Sequence, residues 1–278
     1  MRQESINFQF FSTATTLAWV SGDNIQGFVA FVARFGKNRV EIYQIAQHRE
    51  VILMIRTPKF ARLYRTIFAL IGWSAMFILW YSAAVNRPAG SSALAAAAST
   101  FRYFTVQSNL FVLIWLLVAV LYWDRAREHP ILRPLVKGAF TVYITVTFVI
   151  FATLLQSLVD PQGIDFYVNA ITHFVTPIAF IVDWILYERK RAYQWRYALV
   201  WLVYPLAYLI FAQSYGSLTG DYLYPFLNLP ELGINGLATW VAVLFMVFLV
   251  LGVLYIGVNR VWGIEEEIKQ GSTNTSAA

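Results

Sequence analysis

The sequence predicts an all-α integral membrane protein with six transmembrane helices and with both termini cytoplasmic. Three observations predict it: an apolar surplus, six apolar stretches of spanning length, and an alternation of basic and base-poor loops between them. Of 278 residues, 59% are apolar and only 13% are charged, and the mean hydropathy is +0.57. A soluble chain carries about 25% charged residues, and single cores stop growing near this length. The surplus therefore faces lipid.

A helix needs roughly 20 apolar residues to cross the hydrocarbon. The stretches 66–85, 104–123, 139–159, 168–187, 197–215 and 237–258 meet this requirement, and each is bounded by charge, Pro or Gly. Arg56, Lys59, Arg62 and Arg65 precede the first stretch. Arg125, Arg127, Arg133 and Lys137 lie between the second and third, and Arg189, Lys190, Arg191 and Arg196 between the fourth and fifth. The first loop has only Arg87 and Arg102; the third and fifth have no base and carry Asp160, Asp165, Asp221 and Glu231. Basic loops stay inside, which predicts a multi-pass protein of the cell (cytoplasmic) membrane.

The net charge of +6 is spread over short loops and forms no contiguous basic stripe, so it implies no nucleic-acid partner. The absence of Cys excludes disulfides, thiolate metal sites and cysteine nucleophiles. Residues 1–55 contain no span and no helical or strand period. The stretch 8–20 is too short to cross and is interrupted by Ser12, Thr13, Thr15 and Thr16, and Glu4 is wrong for a signal peptide. Residues 1–55 are expected to be a poorly ordered or spurious extension, with Met54 as the alternative start. That leaves 56–260 as the six-helix domain and 261–278 as a cytoplasmic tail, whose small, polar end from Gly271 reads as disordered. No internal repeat supports an inverted-repeat transporter.

Ionisable groups inside a membrane are expensive, which makes their positions informative. Tyr aside, the six stretches hold two, His173 and Asp183. Asp183 lies about one turn from the basic loop and reads as a helix-end carboxylate paired with Arg189 and Lys190. His173 has no such neighbour. Asn169, His173, Thr176 and Pro177 share one helix face. Thr105, Ser108 and Asn109 share a face at the start of the second stretch, with Gln107 to the side; Thr153, Gln156, Ser157 and Asp160 end the third. These faces lie at one depth and are expected to converge on a polar pocket, although such residues also serve as ordinary interhelical glue.

Several chemistries fail on these residues. A bis-histidine haem needs a second intramembrane His, and His48 and His129 lie outside the stretches. A retinal needs a buried Lys within a span, zinc needs three or four ligands, and no Gly-x-Ser-x-Gly turn is present. No motif implies a cofactor or a metal. A hydroxyl nucleophile with His173 as its base survives, and spacing leaves both Thr105 and Ser108 open as the hydroxyl.

Arg102-Tyr103-Phe104-Thr105 and Asn169-Ala170-Ile171-Thr172-His173 with Pro177 resemble the androgen-induced-protein family, multi-span threonine hydrolases of fatty acid esters of hydroxy fatty acids. The stretch from Tyr103 to Leu110 and the motif Tyr224-Pro225-Phe226-Leu227 are similar to those of its bacterial six-span relatives. The resemblance covers about 56–260. It implies a Thr nucleophile at Thr105 and a His at His173. Ala170 stands where the eukaryotic enzymes tend to have a second His. Asp183 comes one residue after the position of their Glu, and Asn228 stands where the bacterial relatives often have Asp.

The expectation is an intramembrane threonine hydrolase of lipid esters near the outer leaflet, its acyl chain between the second, third and fourth spans. Gln107, Ser108 or Asn109 would supply oxyanion donors, Gln156 would line the pocket, and Asn169 would orient His173. The loop 216–236 is read either as a cover for the pocket or as an interfacial aromatic anchor. Two alternatives use the same cluster: a small-molecule or proton-coupled transporter, drawing on Thr141, Thr145 and Thr147, and a non-catalytic lipid-binding protein.

Overall fold

A computed structural model describes residues 57–125 and 129–275; the expected extension 1–55 and the start at Met54 lie outside the described residues. Pro58–Ile264 forms one compact unit. Among the described residues all regular elements are helical, and six helices are long and apolar enough to cross a membrane. These spans are Pro58–Val85, Phe104–Leu121, Pro134–Leu158, Ile164–Tyr187, Tyr197–Thr219 and Leu229–Trp262. Several extend past the purely apolar stretch: the first and third begin at Pro, which suits the first helical turn, and long cationic side chains can lay their apolar stems along the helix. The first loop folds into a short helix, Ala93–Ser99, whose first turn is capped by the Ser92 hydroxyl on the Ala95 amide. The last helix continues through Thr275, so the irregular tail expected from Gly271 is helical to that point. One Gly costs a helix about 1 kcal/mol, which a long helix entering it absorbs.

The spans approach closely where small residues allow it. Ala61, Ala69, Gly72 and Ala75 form the buried face of the first span. On the third span, a Cβ at Gly138 would fall inside contact distance of the Trp201 ring and of Tyr193. Trp201 cannot yield, since its indole donates to the Leu135 carbonyl at 2.9 Å and it stands edge-on to Tyr193. Gly138→Ala is therefore expected to destabilise the bundle by about 1–3 kcal/mol, seen as a lowered Tm in detergent.

Two prolines break the helical ladder, and each break is repaired. Pro205 in the fifth span has no N–H to offer the carbonyl four residues back. That carbonyl, of Trp201, accepts the Tyr143 hydroxyl at 2.9 Å instead. In the fourth span, Pro177 follows a π turn at Ile171–Val175, in which the Thr176 amide bonds Ile171. Thr172 thereby loses its amide partner, and its carbonyl accepts the Asn109 side-chain amide at 2.9 Å. A second π turn, Phe151–Leu155, interrupts the third span.

The end of the bundle away from Thr105 is closed by buried charge. Asp183 is completely buried and takes Arg65 Nε at 2.7 Å and Lys137 Nζ at 2.8 Å. Lys137 also reaches Glu188 at 3.2 Å. Trp115 lies between the two cations, its ring 5.1 Å from Arg65 and 4.8 Å from Lys137. This corrects the expected pairing of Asp183 with Arg189 and Lys190. Those two follow the end of the helix at Tyr187, whereas the carboxylate faces inward to the first and third spans.

Burial pushes the Glu188 carboxyl above its ordinary value of 4.5, against the pull of Lys137. An acid whose folded pKa is raised adds stability that is complete below the unfolded pKa and is lost as pH rises through the folded one. Stability carried by Glu188 is therefore expected to decline as pH rises above 4.5. Glu188→Gln should remove that part of a Tm–pH profile, and an unchanged slope would contradict the assignment.

Candidate functional site

The second span starts at Phe104 after an extended Tyr103, which places Thr105 in its first turn. The Phe104 amide, unpaired within the helix at this position, donates to both the Tyr208 and Tyr224 hydroxyls at 3.0 Å. The Tyr208 hydroxyl donates a hydrogen bond to the Arg102 carbonyl at 2.8 Å. The Tyr224 hydroxyl also lies within hydrogen-bonding reach of the Thr105 amide and hydroxyl. Burial pushes the Tyr224 phenol above its ordinary value, so it stays protonated and can donate.

Thr105 opens onto an apolar cleft of about 800 Å³, counting the space at its mouth. The walls come from the second, third, fifth and sixth spans and from Tyr224, Phe226 and Leu227 of the last loop. Thr105 and Thr147 are the aliphatic hydroxyls on an otherwise apolar and aromatic lining. The cleft does not run between the second, third and fourth spans as expected. There the side chains of Val112, Leu113, Ile144 and Phe180 are packed almost completely. Of the loop 216–236, Tyr224, Phe226 and Leu227 of the Tyr-Pro-Phe-Leu motif line the cleft.

His173 sits in the π turn of the fourth span, its ring stacked on Phe151 at 3.7 Å. The ring Nδ1 lies 3.2 Å from the Asn169 carbonyl and 3.3 Å from the Thr172 hydroxyl oxygen. A carbonyl cannot donate, and the Thr172 hydroxyl already donates to Val168 at 2.8 Å. Nδ1 must therefore carry the proton, which leaves Nε2 as the basic lone pair. Asn169 meets the imidazole through its backbone carbonyl.

The other expected residues are engaged elsewhere. Gln107 bridges the Phe101 carbonyl, at 2.6 Å, and the Tyr204 hydroxyl. Ser108 bonds the Thr147 hydroxyl at 2.8 Å, and the Asn109 amide bonds the Thr105 and Thr172 carbonyls at 2.9 Å. These bonds join the second, third and fourth spans, but they use the donors offered to an oxyanion. Gln156 is exposed, as are Thr153, Ser157 and Asp160. The π turn shifts the register of everything after it, so the outer face of the third span turns away from the bundle.

Comparison of the chain with protein-family models, with curated proteins and with solved structures finds no match.

No hydrogen bond joins the Thr105 hydroxyl to His173 among the described residues; the hydroxyl faces Tyr224, and the ring lies against Phe151. The two residues belong to adjoining helices, tied by the Asn109–Thr172 bond one turn below Thr105. Side chains lean toward the start of their helix, and both helices start at this end, so the imidazole leans toward the level of Thr105. Tyr224, expected only as part of a covering or anchoring loop, is the functional candidate whose hydroxyl contact the sequence did not reveal. The only signal was its Tyr-Pro-Phe-Leu motif, which does not say that the hydroxyl reaches a helix 120 residues away. Thr141, Thr145 and Thr147 each donate to a carbonyl of their own helix.

Proposed function

We propose that this protein is an intramembrane lipid-ester hydrolase of the cell membrane, with Thr105 as nucleophile and His173 as base. The basic loops support cytoplasmic termini, with the Thr105 end at the outer leaflet. The acyl chain enters the cleft from the lipid. The Thr105 hydroxyl turns from Tyr224 to Nε2 of His173, which takes its proton as the oxygen attacks the ester carbonyl. The carbonyl–oxygen bond breaks, His173 returns the proton to the departing alcohol, and an acyl-threonine remains. Water, deprotonated by the same nitrogen, attacks the acyl carbon; its bond to the Thr105 oxygen breaks, His173 returns the proton to that oxygen, and the acid is released. The Tyr224 hydroxyl is the available donor to the developing oxyanion, and loss of one such donor typically costs ~100-fold or more in rate. The resemblance to the androgen-induced-protein family supports the same pair.

The observation that carries this reading is a threonine hydroxyl on the wall of an apolar cleft, in a helix adjoining an imidazole whose Nε2 is free. Catalytic hydrogen bonds in unliganded enzymes are often long and tighten only with substrate. A second reading, lipid binding without turnover, is favoured by the engagement of Thr105 with Tyr224. A fluorophosphonate probe separates the two. Covalent labelling of the wild type, lost in both Thr105→Ala and His173→Ala, supports the hydrolase; labelling that persists in both variants defeats it.

A further inference from the structure

Arg102 lies two residues before the second span, and the reaction above does not use it. Its guanidinium stands over the rings of Tyr103, at 5.1 Å, and Tyr215, at 5.7 Å. Nη1 donates to the Tyr215 hydroxyl at 2.8 Å and Nη2 to the Tyr103 hydroxyl at 3.2 Å. A guanidinium has five N–H donors, and these neutral acceptors leave its charge uncompensated. Nε is buried without a partner. Asp221 approaches Nη1 only to 3.6 Å and is 55% exposed, where an ion pair contributes little.

The same residue is tied to the cleft. The Arg102 carbonyl accepts the hydroxyl of Tyr208, and Tyr103 stands edge-on to Tyr224 at 6.4 Å; Tyr208 and Tyr224 both line the cleft. The cation thus stands one tyrosine away from the cleft wall, at the end where Thr105 opens. A chain lying in the cleft would bring a head group to this rim.

We infer that Arg102 is a head-group anchor, selecting amphiphiles that carry a carboxylate or phosphate monoester at the end of a chain held in the cleft. The inference rests on reading the cleft as an acyl site, but it does not depend on turnover. Planar guanidinium matches both anions through paired N–H donors. Because hydrogen bonds of this kind are charge-assisted, the anion should strengthen binding on the order of tenfold or more.

The test is thermal unfolding of the full chain in nonionic detergent with laurate, dodecyl phosphate, methyl laurate or acetate. Laurate and dodecyl phosphate should bind on the order of tenfold more tightly than methyl laurate, and acetate should have no effect. The stronger of the two anions identifies the head group. Arg102→Gln should erase the preference and keep the methyl laurate effect, while Arg102→Lys retains part of it and serves if the Gln variant does not fold. Laurate binding no better than methyl laurate, or a preference that survives Arg102→Gln, would overturn the anchor and leave the cleft. Failure of every chain-bearing ligand would overturn the acyl site itself. Acetate acting as strongly as laurate would overturn the role of the chain.

Discussion

Asp183→Asn is expected to cost about 3–5 kcal/mol of stability, because it leaves buried cations without their shared anion. Asp183 is completely buried and takes two hydrogen bonds from Arg65, at 2.7 and 3.2 Å, and an ion pair from Lys137 at 2.8 Å. Arg65 lies within 12% of full burial and Lys137 within 4%, so water cannot replace the carboxylate. Glu188 holds Lys137 at 3.2 Å, and among the described residues no ion pair joins it to Arg65. Folded proteins hold only about 5–15 kcal/mol in total, so the substitution removes a large share of the margin. The measurement is the yield of monodisperse protein and its Tm in detergent. A variant that unfolds within about 2 °C of the wild type would show that the network contributes little.

The second large effect concerns chemistry. Thr105→Ala removes the proposed nucleophile and should lower hydrolysis of a long-chain ester by ~10⁴-fold or more. His173→Ala removes the base and should cost ~10²–10⁴-fold. Because the two act on one step, the double variant should be scarcely worse than Thr105→Ala alone. Neither change should unfold the protein. Thr105 is only half-buried, and its backbone carbonyl, which holds Ser108 and Asn109, survives the substitution. A His173→Ala variant that loses activity with an unchanged Tm would separate catalysis from packing against Phe151. An additive double variant would contradict a shared step.

The spans were legible in the sequence because lipid enforces them: a crossing helix satisfies its own backbone, and its length and hydropathy follow. Thr105 and His173 were legible as a hydroxyl and an imidazole near one end of two spans. Their surroundings were less so. Helical spacing assumes 3.6 residues per turn, whereas π turns at Phe151–Leu155 and Ile171–Val175 interrupt both helices that were to frame the pocket. The first turns Gln156 outward. The second, set by Pro177, consumes Asn109 as a partner for a stranded carbonyl. Asp183 was placed by its neighbours in sequence, yet its cations lie 118 residues away at Arg65 and across the bundle at Lys137. The cleft moved for a related reason. Hydropathy marks which residues meet lipid or protein, and it says nothing about which pairs of apolar helices stand apart.

The most direct measurement is to react the purified protein with a fluorophosphonate and map the modified peptide by mass spectrometry. One adduct is expected, on the Thr105 hydroxyl, absent when His173 is replaced by Ala. An adduct on Ser108 or another hydroxyl, or an adduct on Thr105 that forms equally well without His173, would contradict the assignment of nucleophile and base.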